Sequence, residues 1–440
     1  MPRRYHLVAV LGLAAGVGTL VAQTAPPPKT LPASITGQVP SPVPVTPVGG
    51  NQVAAVAPIE RFLKDRGAFP PETEQAIDSV RLGGDWLYRM NQPGGRFLAG
   101  LNPATRQWVE SDADFRQALA TLALCEAAKF TGDERYAARA NGAVLALLAA
   151  TKPDAADPAC RVPTAANDRC NRVGYASVTA LAIFALPNPD AKLQQDADGL
   201  MKFVRKQVRA NGAIAFTDPA ADEPHKADAI GAAVYPGFAL QALSASLRLR
   251  PDAETRELFP KAMAYQARLL KTHPSPVLVA TTLPPLVDYA LLANKDPGVV
   301  GMVFDAADWL GTCQVTRADP RRAAWAGGFT PGPGAAAEPT ADSAACTLAL
   351  CHAARLTRQL PDAVRFTKYR TAAVEGLAFA RNLQFTDETA DHFEKAFRAR
   401  HVVGGVRVSP SDGTLRIDAT AHLVLAHLAY LQCGTEQRLE

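Results

Sequence analysis

This sequence predicts an all-α fold built as a closed ring of helical hairpins. A turn unit recurs after helix-like stretches. Its copies are GGDWLYRMNQPGGRF (Gly83 to Phe97), LMKFVRKQVRANGAIAF (Leu200 to Phe216) and AADWLGTCQVTRADPRRAAWAGGF (Ala306 to Phe329). A fourth, GLAFARNLQF, starts at Gly376, and its GGV follows late at Gly404–Val406. Self-similarity at long period marks stacked supersecondary units that share one core. Two kinds of helical pattern alternate along the chain, and strand patterning is scarce.

The alternation runs in order. Glu72–Asn91 is amphipathic with a charged face, and Phe115–Phe130 after it is small, apolar and nearly uncharged. Glu134–Thr151 and Gly174–Leu186 repeat that contrast, as do Ala191–Arg209 and Ala227–Leu249. Glu254–Thr272 with Val277–Leu292, Val299–Cys313 with Thr340–Leu356, and Lys368–Gln384 with Asp418–Leu431 complete the set. A helix apolar all round is buried, whereas a one-sided helix faces water. About twelve such helices, alternately outer and inner, suit a two-layered ring. An open solenoid gives the same alternation, but at six hairpins closure is the preferred reading. Thr131-Gly132-Asp133, Pro251-Asp252 and Pro361-Asp362 supply stop and start signals between neighbouring helices.

With 440 residues, 48% hydrophobic and 20% charged, the chain has ample material for one large core. The formal net charge of +4 is dispersed, with no basic run interleaved with aromatics, so no nucleic-acid partner is expected. Arg3 and Arg4 precede an apolar run from Leu7 to Ala22, the pattern of an export signal or N-terminal anchor over residues 1–23. Residues 24–58 are rich in Pro, Thr, Val and Gly and read as an extended linker, which with an uncleaved N-terminal anchor makes a membrane tether, and the helical domain spans 59–440. Of seven cysteines, Cys125, Cys346 and Cys351 fall in apolar helical patterns, and Cys313 and Cys433 are unassigned. Cys160 and Cys170 bracket a polar loop that suits a local disulfide in an oxidising compartment.

The organisation resembles the (α/α)6 toroid proteins over residues 72–433. That group includes six-hairpin glycosidases, uronate lyases, relatives of the glucuronyl C5-epimerase C-terminal domain, and the terpene-cyclase and prenyltransferase toroids. Asp114-Phe115-Arg116-Gln117-Ala118 and Arg416-Ile417-Asp418-Ala419-Thr420-Ala421-His422 look like inner-helix starts of the carbohydrate-handling members. The Gly-plus-aromatic turns at Gly95-Arg96-Phe97 and Gly328-Phe329 look like a degenerate form of the terpene-cyclase repeats.

In such a ring the inner-helix starts surround a central funnel, where helix N-termini favour anions. Asp418 and His422, one turn apart, are the candidate base and acid, with Arg416 and Arg116 to hold an anionic substrate. The plainer reading makes Asp418 a cap and His422 a core residue, and His427 faces elsewhere. Asp114, Arg116 and Gln117 are candidate substrate-binding residues, explained equally well by capping and a salt bridge. Asp342, with Cys346 and His422, resembles the zinc ligands of protein prenyltransferases. Its spacing departs from that family's, so Asp342 is taken as a cap or binding residue, and no metal and no cofactor are expected. Tyr175, Tyr235, Trp325 and Trp108 are candidate stacking aromatics, with ordinary core or rim packing as the alternative. Pro236 and Gly237 inside an inner helix suggest a kink.

No D-x-D-D acid motif, G-x-S-x-G, H-E-x-x-H, P-loop or dinucleotide fingerprint occurs. The expectation is therefore an exported protein that binds or processes a carbohydrate in its funnel, with uronate-containing polysaccharide as the substrate and epimerisation, elimination or hydrolysis as the reaction. A non-catalytic envelope scaffold and a terpenoid-handling toroid are the alternatives.

Overall fold

In a computed structural model, residues 57–64, 68–110, 113–164, 171–217 and 224–432 are described. The export signal, nearly all of the linker, Cys433 and the Cys160–Cys170 pairing (through Cys170) lie outside the described residues.

A short helix α1 (Glu60–Lys64) precedes the ring. The outer layer consists of α2 (Pro71–Met90), α4 (Glu134–Ala149), α6 (Ala191–Lys206), α9 (Ala253–Thr272), α11 (Pro297–Thr312) and α13 (Ala363–Leu383). The inner layer consists of α3 (Asp114–Thr131), α5 (Arg172–Ala185), α8 (Ala229–Leu249), α10 (Pro276–Leu292), α12 (Ser343–Arg358) and α15 (Ile417–Gln432). Single turns α7 (Pro224–Ala227) and α14 (Lys395–Phe397) decorate the connections. Each inner helix packs on the next, and α15 packs on both α12 and α3, which closes the ring. The fold is an (α/α)6 toroid. Each expected helix is present, with ends that move by up to five residues, the usual weakness of periodicity at frayed termini.

Aspartates start most of the outer helices. Asp133, Asp190, Asp252, Asp296 and Asp362 each accept a backbone N–H from the first turn, whereas α2 begins on Pro70-Pro71. One described helix, α8, is long and apolar enough to cross a bilayer, but 78% of its apolar window is buried in the ring, which makes it a core helix. Pro236 lies inside α8, which runs on through it to Leu249. Pro236 leaves the Ala232 carbonyl without its usual donor, and Gln266 Nε2 donates to it at 3.5 Å.

The recurring turn has a mechanical role. After α2, α6, α11 and α13 the chain forms single antiparallel bridges, Asn91 with Phe97, Val208 with Ile214, Gln314 with Phe329 and Gln384 with Val406. Within each turn a glycine adopts positive φ and abuts the backbone of another outer helix. Gly327 (φ +89°) lies where a Cβ would sit 2.1 Å from the Glu375 carbonyl, and Gly404 (φ +91°) meets the Leu82 carbonyl at 2.0 Å. Gly404 thereby ties the end of the chain's last hairpin to its first outer helix. Three turns also reach inward, with the N–H groups of Phe97, Phe329 and Val406 donating to Gln117, Ser343 and Thr420 near the inner-helix starts.

Gly327→Ala is expected to lose the roughly 1–2 kcal/mol of a left-handed side chain and more from the carbonyl overlap. Gly94→Ala, where a Cβ meets nothing within 4 Å, is expected to be nearly neutral. Denaturant midpoints of the two variants check this; equal midpoints contradict the role given to the turn.

Candidate active site

Two short strands, β1 (Gly100–Asn102) and β2 (Gln107–Trp108), follow the first turn, and β5 (Leu415–Arg416) runs directly into α15. They form a three-stranded sheet ordered β2-β1-β5, with Gly100 opposite Arg416 and Leu101 opposite both Leu415 and Trp108. A separate hairpin pairs β3 (Thr151–Pro153) with β4 (Arg161–Pro163) in the connection from α4 to α5. The close approach at Gly100, whose Cβ would sit 2.3 Å from the Leu415 carbonyl, is what brings β5 against the first hairpin. That contact fixes the entry to α15 and with it Arg416, Asp418 and His422.

At this end of the ring, the starts of α12, α15 and α3 bring five of the expected residues together. Arg416 donates to Asp418 through both Nε (2.9 Å to Oδ1) and Nη2. Arg116 Nε lies 3.4 Å from Asp418 Oδ2, and both arginine side chains are more than nine-tenths buried. Burial alone would raise the Asp418 carboxyl; Arg416 and Arg116 outweigh it and hold the group below its ordinary range. His422 sits one turn along the same helix, half-buried.

Asp342 comes from the neighbouring inner helix. It occupies the N-cap position of α12 but makes no side-chain cap, so its carboxylate is not consumed by the backbone. Burial pushes the Asp342 carboxyl above its ordinary range; His422 and Arg416 offset part of this, and Asp418 adds to it. Two carboxyl groups are thus driven in opposite directions within one cluster, a pattern that separates a proton donor from a permanently charged anchor.

The other expected residues stand elsewhere. Asp114 lies in the first turn of α3, with Ala113 at the cap, and pairs with Arg96 at 2.9 Å. Gln117 is buried, and its amide both accepts from Phe97 N and donates to Phe97 O at 2.8 Å, a turn-to-helix brace. Tyr175 is 1% exposed and donates its hydroxyl to the Leu147 carbonyl, which makes it a core residue. Trp325 is half-buried at the end of a 3-10 helix, Pro320–Trp325, in the α11–α12 connection. Tyr235 packs edge-on to Phe115, with ring centroids 5.5 Å apart, and Phe115 also meets Phe238 at 5.3 Å. These rings join α3 to α8 above the start of α5, and so narrow the mouth.

Cys346 is buried, its thiol aimed at the Pro276 carbonyl at 3.9 Å. Among the described residues no group of three His, Cys, Asp or Glu side chains is placed to hold a metal ion. His427 is fully buried, bonded through Nδ1 to the Leu423 carbonyl, and desolvation pulls its pKa down to about 3. A cavity of about 490 Å³ lies away from this mouth, beside Asp198, Arg205, Arg250 and Asp252. Its charges pair with one another or their neighbours, Arg205 with Glu254 and Arg250 with Asp198, so size alone does not make it the reactive centre.

No protein-family model matches the chain, and no curated protein sequence matches it. Solved structures do match, at low identity. The unsaturated glucuronyl hydrolase of Bacillus sp. GL1, described as responsible for glycosaminoglycan degradation, superimposes with a TM-score of 0.57 at 15% identity. The match covers 83% of this chain and 98% of that one. An inactive double-aspartate variant of an α-1,6-mannanase from Salegentibacter sp. HEL1_6, in complex with α-1,6-mannotetrose, gives 0.53 at 11%, covering 83% and 100%. An unsaturated glucuronyl hydrolase from Streptococcus agalactiae gives 0.54 at 11%, covering 88% and 98%. The shared property is the toroid.

Proposed function

We propose that this chain processes an acidic carbohydrate at the mouth of the ring, cleaving a glycosidic bond beside a hexuronate. The observation that carries the reading is the split pair of carboxyls, Asp342 raised and Asp418 lowered, set among Arg416, Arg116 and His422. The sequence reading made Asp418 the base. Its bidentate pairing with Arg416 makes it a weak one, and its role becomes that of a positioning anchor. Asp342 supplies the proton to the leaving glycosidic oxygen. His422 takes the proton of the attacking water, so that one water is added across the bond and no charge accumulates. Arg416 offers its remaining guanidinium edge to the sugar carboxylate, oriented by Asp418. A solved mannanase toroid supports a carbohydrate ligand, and a solved glucuronyl hydrolase toroid supports the choice of an acidic one.

Arg416→Gln tests the reading. Affinity for a uronate disaccharide is expected to fall about tenfold or more, the value of one charge-assisted contact. Affinity for a neutral disaccharide is expected to stay weak in both forms. Equal binding of the uronate by variant and wild type removes the arginine anchor. Hydrolysis leaves a saturated product, whereas elimination leaves a carbon–carbon double bond, so product absorbance separates the two chemistries.

Binding without turnover is the second reading, favoured by the Phe115–Tyr235–Phe238 contacts that narrow the mouth. It predicts saturable binding with no product at any pH. Export of the chain belongs to the same proposal, on the strength of Arg3-Arg4 and the apolar run after them.

A further inference from the structure

An aromatic ledge lies on the rim outside the mouth, and none of the roles above uses it. The β1–β2 hairpin presents Trp108, 40% exposed although its side chain is among the largest in the protein. Its ring meets His401 edge-on at 5.4 Å between centroids, and His401 in turn meets Phe397 at 5.5 Å. Arg106, at the hairpin tip, places its guanidinium 4.6 Å from the centre of the Phe397 ring. Two separate segments thus build one surface, the hairpin and the long excursion between α13 and α15.

Both segments are held firmly. Asn102 Oδ1 accepts from the N–H groups of Ala104 and Thr105, which fixes the tip and the positive φ of Arg106 (56°). Residues Arg398–Val402 form a π-helical turn, and the His401 carbonyl accepts from Trp86 Nε1 at 2.9 Å. Exposed Arg400 lies beside His401. The ledge therefore combines aromatic faces with cations and no paired carboxylate among these contacts.

Its position follows from strand pairing. Trp108 and Leu415 both face Leu101, so Trp108 shares a side with Leu415 and not with Arg416. Neighbouring strands lie about 4.8 Å apart, so β2 lies about 10 Å from β5 across β1. Two strand spacings and a sheet face thus separate Trp108 from Arg416, and a ligand that touches both must extend well beyond one sugar residue.

The geometry points to Trp108, Arg106 and His401 as a rim subsite for a distal residue of an anionic polysaccharide whose terminal residue occupies the mouth. A sugar ring stacks on the indole face, and Arg106 and Arg400 meet the carboxylates that recur along such a chain. This rests on the acidic-sugar reading of the mouth and adds a requirement for length: a polymer or long oligomer is the natural ligand.

Calorimetric titration of the full chain with digalacturonate and hexagalacturonate tests it, with cellohexaose as the neutral control. Wild type is expected to bind the hexamer about tenfold more tightly than the dimer. In Trp108→Ala and Arg106→Ala the gain from length is expected to vanish while dimer affinity is unchanged. A length gain that survives both substitutions overturns the ledge and leaves the mouth reading intact. Loss of dimer binding in Arg416→Gln, with the gain from length abolished only in the rim variants, supports both. Wild type that binds neither acidic oligomer overturns both, and cellohexaose binding as tightly as hexagalacturonate overturns the role of the arginines.

Discussion

Asp342→Asn is expected to lower turnover of a uronate disaccharide by roughly 10²–10⁴-fold, the usual contribution of a positioned general acid. Its effect on stability is expected to have the opposite sign. A carboxyl whose pKa is raised by folding weakens the folded state at neutral pH, because the native site disfavours the charge that the unfolded chain carries freely. That penalty grows as pH rises above the unfolded value and is complete above the folded one. Asparagine carries no such charge and caps no backbone group that Asp342 was capping. The variant should therefore melt at the same temperature as wild type or higher at pH 7, and be nearly inactive. The wild-type rate should fall on the alkaline side as Asp342 loses its proton. A variant that is unstable and inactive in proportion contradicts the assignment, because it makes Asp342 a structural residue.

Asp288→Ala is expected to give the largest loss of stability. Asp288 on α10 accepts from Ser244 Oγ at 2.7 Å and pairs with Arg355 at 2.5 Å and Arg248 at 3.3 Å. The cluster joins α8, α10 and α12 at the opposite end of the ring from the mouth. Burial alone would raise the Asp288 carboxyl, but Arg248 and Arg355 together hold it below its ordinary range. Nearby His352 is pulled down to about 3 by burial and by Arg355.

Removing the carboxylate strands Arg355 beside a neutral imidazole. Breaking a buried pair in this way costs about 3–5 kcal/mol. Arg248 is half exposed, so solvent screens its share and the lower end of that range is expected. The folded pKa is depressed, so the contribution is full above the unfolded carboxyl value and fades as pH falls through the folded one. The difference between variant and wild type should thus narrow in acid. Lys261→Ala, which removes an exposed pair with Glu257, is the control and should change stability by less than about 0.5 kcal/mol. Equal denaturant midpoints for the Asp288 and Lys261 variants contradict the account.

The ring was legible because its signal is redundant. Apolar α8 and α10 against charged α6 and α9 state the layering, and the glycine turns state the repeat. Why those glycines recur was not legible. Only the structure shows that Gly327 and Gly404 press on the backbone of another outer helix, a contact between residues distant in sequence.

The mouth was legible in membership more than in role. Arg116, Arg416, Asp418, His422 and Asp342 lie at or next to inner-helix starts, so the architecture gathers them. Whether a carboxylate is free or tied depends on its neighbour across the ring, so the pairing of Asp418 with Arg416 and Arg116, and the uncapped state of Asp342, were not readable from the sequence. Gln117 read as a candidate binding residue because its partner, the Phe97 backbone, carries no side-chain signature. The Phe397 and His401 part of the rim ledge gave no periodic signal, since it lies in an irregular excursion.

The central claim is that the mouth recognises a hexuronate. The most direct measurement is the melting temperature of the full chain with a uronate disaccharide, its neutral counterpart, and neither. A ligand that binds only the folded state stabilises it by about 2.7 kcal/mol at a hundred times its dissociation constant. The account predicts a clear rise with the uronate alone, absent in Arg416→Gln. An equal rise with both sugars, or a rise that survives in Arg416→Gln, contradicts it.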